Sequence, residues 1–193
     1  MLFRSEDRVP AGAQLILGDA IDPHSYRHAI SASDTFLHLV GTPHPGPGRN
    51  PGYRTVDLRS VDVALEVAIN GGVGHFVYVS VAQPAPLMWH YIAVRQVAED
   101  RIRASGIPAT ILRPWYVLGP GRRWPGVLLP LYALCECLPA TRPGAQRLGM
   151  VTRKQMVCAL VAAIEAGPGR HGIIDVPAIR AMAGKTLAAN SPG

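Results

Sequence analysis

Residues 75–80 read HFVYVS: four consecutive β-branched or aromatic residues, Phe76 to Val79, between a histidine and a serine. A run without a polar residue at alternate positions has no solvent face, so it suits a strand covered on both sides. Three other runs share this character. AQLILGD (13–19) ends in Gly-Asp, DTFLHLVGT (34–42) in Gly-Thr, and PATILRP (108–114) at a proline. A shorter one, GIIDV (172–176), lies near the C-terminus. Helical patterns separate them. DPHSYRHAISAS follows the first run and RTVDLRSVDVALEVAINGG the second, the latter with Leu58, Val61, Leu65 and Ala68 on one stripe and Gly71-Gly72 as its stop. HYIAVRQVAEDRIRASG follows the third, with Ile92, Val94, Ala98 and Ile102 facing roughly one way and Gly106 closing it. Strand, helix and strand repeated in this way demand right-handed crossovers. The expected fold is therefore α/β, a parallel sheet with helices on both faces.

The totals agree with one globular domain. The chain has 193 residues, 48% hydrophobic and 17% charged. Its most apolar stretch, VLLPLYALCECLPA (127–140), is too short for a membrane span and contains Pro130 and Glu136, so it predicts a buried helix. The start, MLFRSEDRVP, has no apolar secretion core, and a cytosolic protein is expected. Cys135, Cys137 and Cys158 offer no disulfide framework and read as buried thiols. The net charge of +6 comes from scattered arginines, adjacent only at Arg122-Arg123, with no basic stretch interleaved with aromatics. This argues for a solvated surface rather than a nucleic-acid partner.

After Pro114 the texture changes. WYVLGPGRRWPG reads as loop. Further on, Thr152-x-x-Gln155 forms a capping box, with Val151 placed to staple against Met156. The helix it opens carries Val157, Leu160, Val161 and Ile164 and stops at Gly167-Pro168-Gly169. We expect a core over about 1–120, a C-terminal elaboration over about 121–180 and a frayed tail over 181–193.

In an open parallel sheet, ligands bind beyond the carboxyl ends of the strands. That rule singles out Asp19 and Ala20, Gly41 and Thr42, Ser80 to Ala82, and Pro114, Trp115, Tyr116 and Val117. Tyr91 and Arg95 open the helix after the third run and share a face at i,i+4 spacing. His24 and His28 also have i,i+4 spacing but no third ligand, so no metal is expected. His38 and His75 read as satisfied sheet histidines.

At these residues the chain resembles the short-chain dehydrogenase/reductase superfamily, in its atypical or extended branch of NmrA-like proteins and NAD-dependent epimerase/dehydratases. The resemblance rests on GD-x-x-D (18–22), HLVG (38–41), GVGHFVYVS (72–80), Y-x-x-x-R followed by Ala98-Glu99, and SGIPATILRP followed by V-x-GPG. It implies a Rossmann-like fold and an NAD or NADP cofactor. Asp19 and Ala20 would then lie at its adenine end, Gly41 and Thr42 would let the backbone approach it, and Pro114 to Val117 would line its nicotinamide side. Tyr91 would handle a proton, Arg95 would stand where the family usually has a lysine, and Ser80 would lie near the active-site hydroxyl. The chemistry implied is that of an oxidoreductase or epimerase/dehydratase acting on a small carbonyl or hydroxyl substrate. The alternatives are a non-catalytic dinucleotide-binding sensor or accessory subunit, or an inactive remnant.

Three departures qualify the resemblance. The sequence from Met1 lacks the family's first strand and its G-x-x-G-x-x-G turn, the usual pyrophosphate cradle. A start placed too late is the preferred explanation and a natural truncation the other. Weak or undetectable dinucleotide binding is expected of the chain from Met1. The lysine is an arginine, which supplies charge but cannot relay a proton. Val81, Ala82 and Gln83 after Ser80 bring no second hydroxyl.

Overall fold

A computed structural model describes residues 9–30, 35–42, 48, 50–85, 87–119, 142–169 and 172–189. Strands β1 (Phe36–His38), β2 (Phe76–Val79) and β3 (Ala109–Leu112) form one sheet with β6 (Gly172–Ile174), in the order β1-β2-β3-β6. Every pairing is parallel, with Phe36 opposite Phe76, Tyr78 opposite Ile111 and Leu112 opposite Ile174. The apolar runs have no polar face because both faces are covered. Phe76 and Tyr78 face a cluster with helices α1 (Arg59–Asn70) and α2 (Trp89–Ala104), whereas Val77 faces a second cluster with α4 (Arg153–Glu165) and α5 (Val176–Ala189). The parallel α/β architecture is thus the one expected from the sequence.

Local signals account for most boundaries. α1 is preceded by a π-helical stretch, Tyr53–Leu58, that buries Tyr53, Asp57 and Leu58. It ends at Gly71-Gly72. Gly72 has φ +71°, and Val73 donates back to the Ala68 carbonyl at 2.9 Å while Gly72 donates to Ile69 at 3.1 Å, the paired bonds of a Schellman stop. α4 begins with the expected capping box: Thr152 Oγ1 accepts from Gln155 N at 3.1 Å, and Gln155 Oε1 accepts from Thr152 N at 2.8 Å. Val151 and Met156 pack in one cluster. The buried stripe of α4 is Met156, Ala159 and Ala163, while Val157, Val161 and Ile164 face outward.

Four expectations change. Residues 13–19 form no strand: Leu17 is 74% exposed, and the segment only lines a cavity beside β1 through Ile16 and Gly18. A strand exists only as part of a ladder, and no described residue offers these a neighbour. The helix expected after them is two 3₁₀ turns, Pro23–Ser25 and Arg27–Ala29, the first capped by Asp22. The tail expected to fray carries α5 as far as Ala189. The stretch after Pro114, read as loop, contains β4 (Tyr116–Leu118), which pairs in parallel with β5 (Met150–Thr152) in a small second sheet, followed by α3 (Arg142–Arg147) before β5. The helix expected at 127–140, with Cys135 and Cys137, lies outside the described residues. Among the described residues, no helix is long and apolar enough to cross a membrane, and no group of three or more potential ligands could hold a metal.

Candidate functional site

The parallel sheet brings the ends of β1 and β2 to one rim, and α2 starts beside it. Tyr91 and Arg95 lie on the buried side of α2, one turn apart, facing the sheet. Arg95 is 4% exposed and commits all three guanidinium nitrogens. Nε donates to the Tyr91 hydroxyl at 3.0 Å, and Nη1 donates to the Tyr78 hydroxyl at 2.8 Å and the Val79 carbonyl at 3.3 Å. Nη2 forms an ion pair with Asp57 Oδ1 at 2.6 Å.

Asp57, 1% exposed, ties this cluster to the loop after β1. Its two carboxylate oxygens accept from Thr42 N, each at 3.1 Å, and Oδ2 also accepts from the Thr42 hydroxyl. Gly41 has no side chain because Arg95 already occupies the space: a Cβ at 41 would overlap Arg95 Nη2 and meet Asp57 Oδ1 at 3.2 Å. Tyr53 stands edge-on to Tyr91, with ring centroids 5.1 Å apart. Gly41, Thr42, Tyr91 and Arg95 therefore form one contact network, joined by Asp57, Tyr53 and Tyr78.

The electrostatics follow from burial. Burial pushes the Tyr91 phenol above its ordinary value; the Arg95 charge pulls it down, and Asp57 pushes it up again. Tyr78 rises to about 12, again chiefly through burial and against the pull of Arg95. For Arg95, burial opposes the charge, but Tyr78, Tyr91 and Asp57 outweigh it and hold the guanidinium more firmly protonated than usual. Net, the phenol beside Arg95 is a weaker acid than a free tyrosine.

The other candidates sit apart from this network. Ser80 Oγ donates to Glu99 Oε1 at 2.6 Å, within a cluster that includes Gln83, Arg103 and Arg113. Its hydroxyl is bonded there, rather than to Tyr91 or Arg95. Asp19 lies in an exposed turn, where its Oδ1 accepts from Ile21 N at 3.1 Å. Ala20 and Gly18 line a cavity of about 280 Å³ together with Tyr26, Leu39 and Val40 at the end of β1. Pro114 lies just beyond β3, Trp115 packs against both core clusters, and Tyr116 and Val117 belong to β4, opposite Met150 and Val151.

His38 departs from the expectation of a satisfied sheet histidine. It is buried, and neither ring nitrogen makes a well-formed hydrogen bond. Burial, and then the nearby Arg95 charge, lower its pKa to about 4, against a weaker pull upward from the Ser60 and His38 backbone. His75 does find partners, with Nδ1 3.2 Å from the Thr35 hydroxyl and Nε2 3.0 Å from that of Thr110.

Asp57, Tyr53 and Tyr78 complete the network around Arg95, though no strand-end rule points to them. A signal existed for Asp57: it lies four residues before Val61, so a carboxylate falls on the apolar stripe of its own helix.

The described residues meet a dinucleotide unevenly. The cavity beside β1 is apolar and close to the lower limit of about 300 Å³ for ligand pockets, so it suits one flat ring system rather than a whole dinucleotide. At the Tyr91 end, Arg95 fills the approach to Gly41.

Comparison with known proteins gives the context. A family model described as NAD(P)H-binding matches residues 1–122. The ceramide reductase of Caulobacter vibrioides is 26% identical over 149 residues, which cover 77% of this chain and 46% of that protein. A nucleoside-diphosphate-sugar epimerase from Staphylococcus aureus is 17% identical, with a TM-score of 0.59 over 89% of this chain and 60% of its own. The Bordetella bronchiseptica enzyme WbmH, solved in complex with NAD+, is 20% identical, with a TM-score of 0.55 over 91% of this chain and 66% of its own. The chain thus spans about half the length of the curated relative and about two thirds or less of these solved chains. At such identities the structural likeness is one of fold.

Proposed function

The chain belongs to the NAD(P)H-binding family, and on that premise we propose that it holds NAD or NADP along the carboxyl rim of its sheet. Its chemistry is of oxidoreductase or epimerase/dehydratase ancestry, directed at a small carbonyl or hydroxyl substrate. The supporting observation is that a single side chain, Arg95, bridges Tyr91 to the Asp57–Thr42 contact beside Gly41. In this reading Asp19 and Ala20 flank the adenine end in the cavity beside β1, Gly41 and Thr42 face the middle of the dinucleotide, and Pro114 to Val117 line the nicotinamide side. The bound dinucleotide would supply or accept hydride at the substrate carbon. Tyr91 holds the proton of the substrate oxygen, and Arg95 fixes the phenol and supplies charge. Ser80 contributes only by a change of hydrogen-bond partner away from Glu99.

A second reading, a non-catalytic dinucleotide-binding sensor or accessory subunit, is favoured by one observation. Every nitrogen of Arg95 is already bonded within the protein, and the phenol it holds is pushed away from neutrality rather than toward it.

Titration with NADH and NADPH, followed by calorimetry, tests the common part. The sequence alone leaves weak and undetectable binding both open; the proposal requires saturable binding weaker than micromolar, and its absence up to millimolar cofactor overturns the proposal. Tyr91→Phe then separates the two readings. Loss of turnover across a panel of carbonyl substrates, with cofactor binding retained, supports catalysis; retained binding with no turnover in either protein supports the sensor.

A further inference from the structure

Asp57 lies on none of the strand ends that a ligand is expected to meet, yet it ties the loop after β1 to α2. Its carboxylate accepts from Thr42 N and Thr42 Oγ1 on the loop after β1 and from Arg95 Nη2 on α2. The π-helical stretch that carries it also places Tyr53 against Tyr91, so one element sets two sides of the phenol. Local widening of a helix of this kind re-aims side chains and is frequent at functional sites.

We propose that Asp57 is a positioning residue: it holds the Arg95 guanidinium across Gly41 and offsets its charge at the Tyr91 phenol, so that whatever draws Arg95 or Thr42 away from Asp57 switches the acidity of that phenol. The inference rests on the reading of Tyr91 as the proton-handling group. Its geometry is specific. Arg95 reaches Tyr91 through Nε and Asp57 through Nη2, so one rigid guanidinium plane spans both partners and cannot turn toward one without moving from the other. The charged and titratable groups facing the phenol are Arg95 from its own helix, Asp57 and Tyr53 from the π-helical stretch, and Tyr78 from β2. Among them Asp57 is the one carboxylate. Both the Coulomb attraction of Asp57 for Arg95 and its repulsion of a phenolate keep the phenol protonated. A dinucleotide approaching Thr42 and Gly41 competes for these same contacts, and this would couple cofactor binding to proton release at Tyr91.

The test is the titration of Tyr91 by NMR of tyrosine labelled at the ring Cζ carbon, with Tyr91→Phe assigning the signal. In Asp57→Asn, which keeps the shape but removes the charge, the Tyr91 phenolate fraction at fixed alkaline pH should rise about tenfold over wild type. Asp57→Glu, which restores the charge, should bring it back toward wild type. Circular dichroism at the same pH confirms that the variants are folded. An unchanged Tyr91 titration in folded Asp57→Asn overturns the proposal. If Asp57→Asn does not fold, the wild-type protein decides: the Arg95 guanidinium should show through-hydrogen-bond NMR coupling to the Asp57 carboxylate carbon and slow exchange of its protons with water, and a freely rotating, rapidly exchanging Arg95 overturns it. None of these readouts requires cofactor. Failure to bind NADH would therefore refute the functional reading alone, whereas an Asp57-independent phenol would refute this inference alone.

Discussion

Replacing Arg95 with methionine removes the one cation of the buried network while keeping an unbranched chain of similar length. The variant loses the 2.6 Å ion pair with Asp57 and the bonds to Tyr91, Tyr78 and the Val79 carbonyl. It also leaves a carboxylate that is 1% exposed without its countercharge. Removing one partner of a buried pair costs about 3–5 kcal/mol, a loss of roughly two to four decades in the folding constant, against a total stability of about 5–15 kcal/mol for a domain. Thr42 still donates to Asp57 and keeps the cost within that range. Neutralising the other partner as well reverses most of the loss, because exchanging a whole buried pair for uncharged groups is often close to neutral. Asp57→Asn/Arg95→Met should therefore be less destabilised than the sum of its single variants by at least about 2 kcal/mol. Urea denaturation followed by tryptophan fluorescence and circular dichroism measures all four proteins. A cost below about 1 kcal/mol for Arg95→Met, the size expected of a surface pair, would refute the network as described, and so would strict additivity in the double variant.

His38 makes stability depend on acid. Its folded pKa of about 4 lies below the ordinary histidine value of 6.5, so the unfolded chain binds more protons between the two. Stability is full above pH 6.5 and falls as the pH drops from 6.5 to about 4, where the loss levels off, by up to about 3 kcal/mol at roughly 1.36 kcal/mol per pH unit of difference. His75, also lowered by burial, acts in the same direction, so the comparison is with His38→Leu. The difference in urea midpoint between pH 7 and pH 4.5 should shrink in that variant, and an identical difference in both proteins would show that His38 does not titrate as described. Gly41→Ala should displace the guanidinium from Asp57 and cost about 1–3 kcal/mol as an overpacked core site; thermal melting checks it, and a neutral outcome would mean that Arg95 does not occupy that space. Ser80→Ala removes a donor from Glu99 and should cost about 1–2 kcal/mol by urea denaturation while leaving the Tyr91 titration unmoved. A shifted Tyr91 titration would place Ser80 in the phenol's network instead.

What the sequence made legible, and what it hid, divides along one physical line. The runs at 34–42, 75–80, 108–114 and 172–176 announced strands because burial on both faces is written into every position, and β1, β2, β3 and β6 lie within them. The capping box at Thr152 and the stop at Gly72 are equally local, each complete within a few residues. Residues 13–19 have the same local texture as those runs, yet strand identity depends on a neighbour that no window of sequence contains. The pairing of Tyr116–Leu118 with Met150–Thr152 is likewise set by residues far apart in the chain. The site lies between these cases. Tyr91 and Arg95 were visible as a pair because both are on one turn of one helix. The buried ion-pair partner of Arg95, Asp57, lies 38 positions before it. Even so, the two charges share a mark readable without coordinates. Asp57 falls in line with Val61, Ala64 and Ala68, and Arg95 with Ile92, Ala98 and Ile102, so each interrupts an apolar stripe with a charge of opposite sign. Burying either charge alone is costly, so two opposite charges on the buried faces of successive helices imply each other. That argument makes Asp57 a candidate partner for Arg95, beside Glu99 one turn on in α2. In the structure Arg95 does join the loop after β1, through Asp57, to the Tyr91 phenol.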